Sequence, residues 1–161
     1  MASELALLGG QPLRTKPFPA WPVFGEPEEQ RILKALRSGK WGKQDGSEVA
    51  TFEKDFARYQ GAEHGIAVVN GTVSLQVALM AAGIKGGDEV IVPPYTFLAT
   101  ATAVVMANAT PVFVDIELDT FNISPKAIEA AITPRTRAII PVHFGGLPVD
   151  MDAIMAIAKR H

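Results

Sequence analysis

Apolar and polar positions along this chain change rhythm near residue 62. Before that point helical spacing dominates. Ile32, Leu33 and Leu36 put an apolar stripe on a short helix over Glu28–Ser38, which Gly39 ends. Ser47 reads as a helix cap, and Val49, Phe52, Phe56 and Tyr59 recur at helical spacing until Gly61. The polar, glycine-bearing stretch Lys40–Gly46 between them is a loop. Upstream, Pro17-Phe18-Pro19-Ala20-Trp21-Pro22 predicts an extended arm, because proline fixes φ and removes a hydrogen-bond donor.

From residue 62 onward, short apolar runs alternate with helical stretches. Ile66–Val69, Glu89–Val92, Pro111–Asp115 and Ala138–Val142 predict four strands. Helices are expected over Val73–Ala82, Phe97–Ala107, from Ser124-Pro125 to near Ile132, and over Asp150–Lys159. Ser124 before Pro125 is a cap followed by proline at the first helical position. On the last helix Ile154 and Ile157 should face inward. The strands do not alternate, as expected where both faces of a parallel sheet are covered.

Four strand–helix units in succession predict a doubly wound α/β domain, its sheet mostly parallel with helices on both faces. Residues 1–61 form an arm and helical lead, and 62–161 the α/β part. The helix Asp150–His161 either crosses back toward a further strand, leaving a sheet edge unpaired, or packs as a terminal element. The pattern leaves both readings open.

The chemistry concentrates where strand turns into helix. A strand ending at Asn70-Gly71-Thr72 and restarting as a helix leaves free N–H groups at the helix N-terminus, and donors and dipole together suit a phosphate. The second strand runs into Pro93-Pro94-Tyr95-Thr96-Phe97, which can set an aromatic ring beside that anion. Taken alone, Gly71-Thr72 reads by default as an ordinary turn without a ligand and Phe97 as core. His143 follows a strand end, where the cleft of an α/β sheet opens; it either touches a ligand or is a hydrogen-bonded structural histidine. Trp41 and Tyr95 either reach a substrate pocket or pack.

Composition narrows the classes. At 161 residues the chain is about one domain, with 48% hydrophobic and 20% charged residues, within the range of folded globular proteins. A net charge of −2 gives no basic patch for nucleic acid. The absence of cysteine excludes disulfides and thiolate metal sites. The first ten residues lack a basic segment followed by a long apolar core, and Phe97–Ala109 is too short to span a bilayer. A cytoplasmic protein with no membrane partner is expected. No G-x-G-x-x-G, no Walker-type loop and no G-x-S-x-G elbow occurs.

Several segments in order then match one family. Asn70-Gly71-Thr72 with Leu75 and Ala78-Leu79, followed by Gly87-Asp88-Glu89-Val90-Ile91-Val92-Pro93 and Thr96-Phe97, resembles the sugar and cyclitol aminotransferases of the DegT/DnrJ/EryC1/StrS family. So do Pro111-Val112-Phe113-Val114-Asp115, the run from Pro134 through His143, and the helix bearing Glu48-Val49, Phe52-Glu53 and Phe56-Ala57. Phe18–Pro22 and the His143 segment lean toward members acting on cyclitols or aminoshikimate-type rings, such as 3-amino-5-hydroxybenzoate synthases.

The resemblance implies the first part of a fold-type-I large domain that binds pyridoxal 5′-phosphate (PLP). It implies an amino group moved from glutamine or glutamate to a keto sugar or keto cyclitol, in secondary-metabolite or cell-surface sugar biosynthesis, by a homodimer. Carried over residue by residue, the Gly71 and Thr72 amides hold the phosphate, Phe97 stacks on the pyridine ring, and Asn70 contributes at the same turn. Trp41, Tyr95 and His143 are the substrate candidates. The pyridinium-binding aspartate is expected on a strand just after His161 and the Schiff-base lysine later still. None of the eight lysines here substitutes for it, so the chain by itself is expected to be inactive, and an exposed sheet edge predicts poor solubility or oligomerisation. The alternatives are a catalytically dead cofactor- or effector-binding regulatory domain and a non-functional fragment; a dehydratase using histidine for lysine would need a position outside these residues.

Overall fold

The computed structural model describes residues 4–161 and separates into two units, the first running through Ile66 and the second Ala67–His161. In the first, α1 (Glu26–Ser38) opens with Pro27 and three glutamates in its first turn, charges suited to the positive end of a helix. The Glu28 carboxylate accepts the Gly25 N–H at 2.8 Å. Gly39 ends α1 at φ 67°, a left-handed conformation that glycine reaches without a Cβ clash.

Helix α2 (Glu48–Tyr59) carries the aromatic stripe, with Phe52 and Phe56 stacked at 5.4 Å between centroids and Tyr59 at 6.5 Å from Phe56. Ser47 immediately precedes α2 but makes no side-chain cap. The correction has a backbone cause. A capping residue needs extended φ/ψ to bring its oxygen over the first N–H groups, and Ser47 sits at φ −106°, ψ −16°. The proline-rich arm forms neither α-helix nor strand, as expected, apart from a 3-10 turn at Ala6–Leu8.

The second unit is built on three parallel strands in the order β2-β1-β3: β1 (Glu89–Val92), β2 (Thr110–Phe113) and β3 (Thr136–Ile139). Helix α3 (Gly71–Ala81) precedes β1, α4 (Ala99–Met106) joins β1 to β2, α5 (Pro125–Ala131) joins β2 to β3, and α6 (Met151–Arg160) follows β3. All four residues of central β1 are buried. The pleat divides them: Val90 and Val92 pack with Leu79, Ala103 and Val104 of α3 and α4, whereas Ile91 packs with Ile128 of α5 and Ile154 and Ile157 of α6. Successive strand side chains point to opposite faces, so helices cover both faces of the sheet, as the unbroken apolar run of β1 predicts.

One expected strand does not form. Ile66–Val69 belongs to no strand, and the α/β part contains three strands where the pattern predicts four. The outer edges of β2 and β3 have no further strand among the described residues, but Ile66–Val69 lies against neither, and strand composition without a paired neighbour makes no strand. Ile66 and Val69 are accordingly exposed.

The caps of the second unit match their sequence signals more closely. The Ser124 hydroxyl faces the Ala127 N–H at the start of α5, with Pro125 at the first position. The Asp150 carboxylate accepts the Ala153 N–H at 3.0 Å at the start of α6. Helix α4 starts at Ala99 rather than Phe97, which leaves Phe97 in the loop after β1.

Candidate functional site

Local chemistry at the start of α3 defines the first half of the site. Asn70 is extended, and its Oδ1 accepts the Val73 N–H at 3.0 Å. The Ser74 N–H reaches the Asn70 carbonyl, and the Ser74 hydroxyl donates to the Gly71 carbonyl at 2.7 Å. These bonds use every backbone donor of the first turn except two. The N–H groups of Gly71 and Thr72, at the first and second helical positions, have no acceptor among the described residues. They point along the positive end of α3.

The second half comes from the loop after β1. Thr96 and Thr100 share a hydroxyl–hydroxyl bond of 2.9 Å, and the Thr100 N–H donates to the Phe97 carbonyl. This fixes the backbone of Phe97, whose ring is 80% exposed. An aromatic ring left in solvent on an ordered backbone is a surface waiting for a contact.

Topology brings the halves to one end. Helix α4 joins parallel neighbours and must run back against the strand direction. Helix α3 does the same, because it reaches β1 through a tight turn in which Lys85 and Asp88 exchange hydrogen bonds. The two helices pack side by side, Gln76 of α3 donating to the Met106 carbonyl of α4 at 3.2 Å. Gly71, Thr72 and Phe97 therefore share the end of the unit where the strands terminate. The chain leaves β1 for β2 on one side and returns to β3 on the other, and carboxyl ends at such a reversal are where α/β sheets place ligands.

Tyr95 and His143 belong to the same end. Tyr95 forms an aromatic cluster with Phe121 and Phe144, at centroid distances of 5.6 and 4.5 Å. His143 accepts the Val149 N–H on Nδ1 at 3.0 Å. Trp41 lies in the other unit, where its indole N–H donates to the Leu36 carbonyl at 3.2 Å.

Sequence reading misses Phe121, Phe144 and, above all, Asn122. The Asn122 side chain is 5% exposed; it donates to the Leu147 and Pro148 carbonyls and accepts the Phe144 N–H at 3.1 Å. It clamps the turn that follows His143. No local motif could have marked it, since its partners stand 22 to 26 positions away.

Comparison with known proteins meets this geometry. The profile of the DegT/DnrJ/EryC1/StrS aminotransferase family matches residues 23–161. The chain belongs to that family. It is 40% identical, over its whole length, to the L-glutamine:2-deoxy-scyllo-inosose aminotransferase of Streptomyces lividus, and spans 39% of that relative. Among solved structures, 3-amino-5-hydroxybenzoic acid synthase superposes with a TM-score of 0.87 at 43% identity, over 91% of this chain and 38% of its own. NtdA from Bacillus subtilis, with bound cofactor PMP, gives 0.78 at 39% identity, over 84% of this chain and 32% of its own. The chain thus spans about two-fifths of such relatives, and its sequence resemblance to this aminotransferase family, including the synthase members, holds.

The residues present fit a phosphorylated planar cofactor. A Cβ built on Gly71 meets no atom within 4 Å, so the space before the two unpaired N–H groups is open, with an exposed ring at the same end. No group of acidic, histidine or cysteine side chains suited to a metal ion occurs among the described residues, and no helix among them is long and apolar enough to cross a membrane.

Proposed function

We propose that this chain forms part of a PLP-dependent aminotransferase that moves an amino group from glutamine or glutamate to a keto sugar or keto cyclitol. The observation that carries the reading is the pair of unpaired N–H groups at Gly71 and Thr72, facing open space at the carboxyl end of the sheet. Bound PLP would supply an electrophilic carbon and a ring that stabilises a substrate carbanion. The chain's own residues bind and orient. The Gly71 and Thr72 amides donate to the phosphate, strengthened by the α3 dipole. Asn70 acts one step back: by holding the Val73 N–H it fixes the helix start and leaves the other two donors outward. Phe97 covers one face of the cofactor ring and keeps water from it, on a backbone steadied by Thr96 and Thr100.

The same proposal includes a homodimeric, cytoplasmic enzyme of secondary-metabolite or cell-surface sugar biosynthesis, with Trp41 and Tyr95 toward substrate. It also holds that these 161 residues alone do not complete the reaction, because no lysine of the second unit stands at the phosphate end on the α3 face. Lys85 occupies the turn entering β1, at the opposite end of the strands. Lys126 belongs to α5, on the other face of the sheet, and Lys159 to the last turn of α6.

The test adds PLP to the purified chain, follows the Gly71 and Thr72 amides by NMR, then applies borohydride and mass spectrometry. Amide shifts that inorganic phosphate competes away, without a single modified lysine, are expected. Unmoved amides would overturn the phosphate site, and one specific lysine adduct would overturn the claim of inactivity.

A further inference from the structure

We propose that His143 donates its Nε2–H to an oxygen of the hydroxylated acceptor ring and so helps to select it. The inference rests on the aminotransferase reading and extends it to a residue whose role the fold alone does not give.

The hydrogen bond to Val149 decides what His143 can offer. A ring nitrogen that accepts an N–H must keep its lone pair, so the neutral imidazole carries its proton on Nε2. The side chain is exposed, and Nε2 has no partner among the described residues. A backbone N–H thus holds the ring in one tautomer, with its remaining donor turned outward.

The support beneath it is rigid. Asn122 grips both sides of the turn after His143 through the Phe144 N–H and the Leu147 and Pro148 carbonyls. The adjacent Phe144 ring meets Tyr95 at 4.5 Å, which ties the loop after β3 to the loop that carries Phe97. The donor is therefore held where the carboxyl ends of β1 and β3 part. Aromatic walls with one fixed N–H match a hydroxylated ring, whose C–H face packs on aromatics while an oxygen takes the proton donor.

The test uses the native protein loaded with PLP and titrates 2-deoxy-scyllo-inosose calorimetrically against wild type, His143→Phe and His143→Gln. His143→Phe should bind the cyclitol roughly three- to tenfold more weakly, the range of one net hydrogen bond. His143→Gln, which keeps an N–H donor, should recover part of the loss. PLP absorbance and melting temperature should not change in the glutamine variant. In wild type, the 15N signal of His143 Nε2 should move on adding the cyclitol, a response that a purely structural histidine would not give. Equal cyclitol binding by all three proteins, with PLP bound, would overturn the role of His143 and leave the aminotransferase reading intact. A wild-type protein that binds neither PLP nor cyclitol would overturn both.

Discussion

The Asn70 Oδ1 accepts the Val73 N–H at 3.0 Å and so caps the helix that begins at Gly71 and Thr72. The Gly71 and Thr72 amides beside it are free because the first positions of a helix have no carbonyl four residues back. Asn70→Ala should lower stability by about 1 kcal/mol, the usual cost of a lost N-cap, and weaken PLP as the first turn frays. Asn70→Ser or Asn70→Asp should restore stability. Thermal melts with PLP titrations check this, and a large loss of PLP affinity in a fully stable Asn70→Ser protein would mean that Asn70 touches the cofactor itself.

Gly71→Ala separates folding from binding. The new Cβ enters empty space at a helical position without positive φ, so the protein should be unchanged or more stable by roughly 0.4–1 kcal/mol. That methyl group would stand before the phosphate donors. PLP affinity should fall about tenfold to a hundredfold, as for a lost hydrogen bond to a charged group. Stability and affinity moving in opposite directions is the outcome to look for.

Glu89 makes acid stability depend on two residues beside β3. Its carboxyl, buried in the structure, is held below the usual range chiefly by the Thr133 hydroxyl and then by Arg135, with burial opposing both. A lowered carboxyl pKa stabilises the fold above the unfolded value, roughly 4.3, and that contribution is lost as pH falls through the folded value. Thr133→Val should therefore melt earlier than wild type above about pH 5. The two melting temperatures should converge in more acid solution, and a constant difference across the series would place the effect elsewhere.

Asn122→Ala should be costly. It strands the Phe144 N–H and two carbonyls in a partly buried turn, at about 1–3 kcal/mol. Hydrogen exchange should show the turn after His143 opening first, while the amides of β1 remain protected. Uniform loss of protection would show that Asn122 supports the whole unit instead.

Much of the scaffold was legible because its causes are local. Ser124-Pro125 starts α5, Gly39 ends α1, and Ile154 and Ile157 face the core, each from residues within a turn of one another. Ser47 shows the limit of the same signal, since a hydroxyl in the right place caps nothing when its backbone is already helical. Ile66–Val69 shows another, because strand composition does not supply a neighbouring edge.

By itself the sequence determined the alternation of strand and helix, the buried central strand, the Asn70-Gly71-Thr72 turn and the family resemblance. These follow from periodicity, caps and turn residues, interactions that reach only a few positions along the chain. Tertiary structure alone decided that Ile66–Val69 pairs with no strand, that Phe97 stays exposed, and that Asn122 holds the turn after His143. Each depends on where a distant or differently folded segment comes to rest: Tyr95 meets Phe144 across 49 positions of chain. Packing free energy over the whole sheet, which no local window contains, sets those positions.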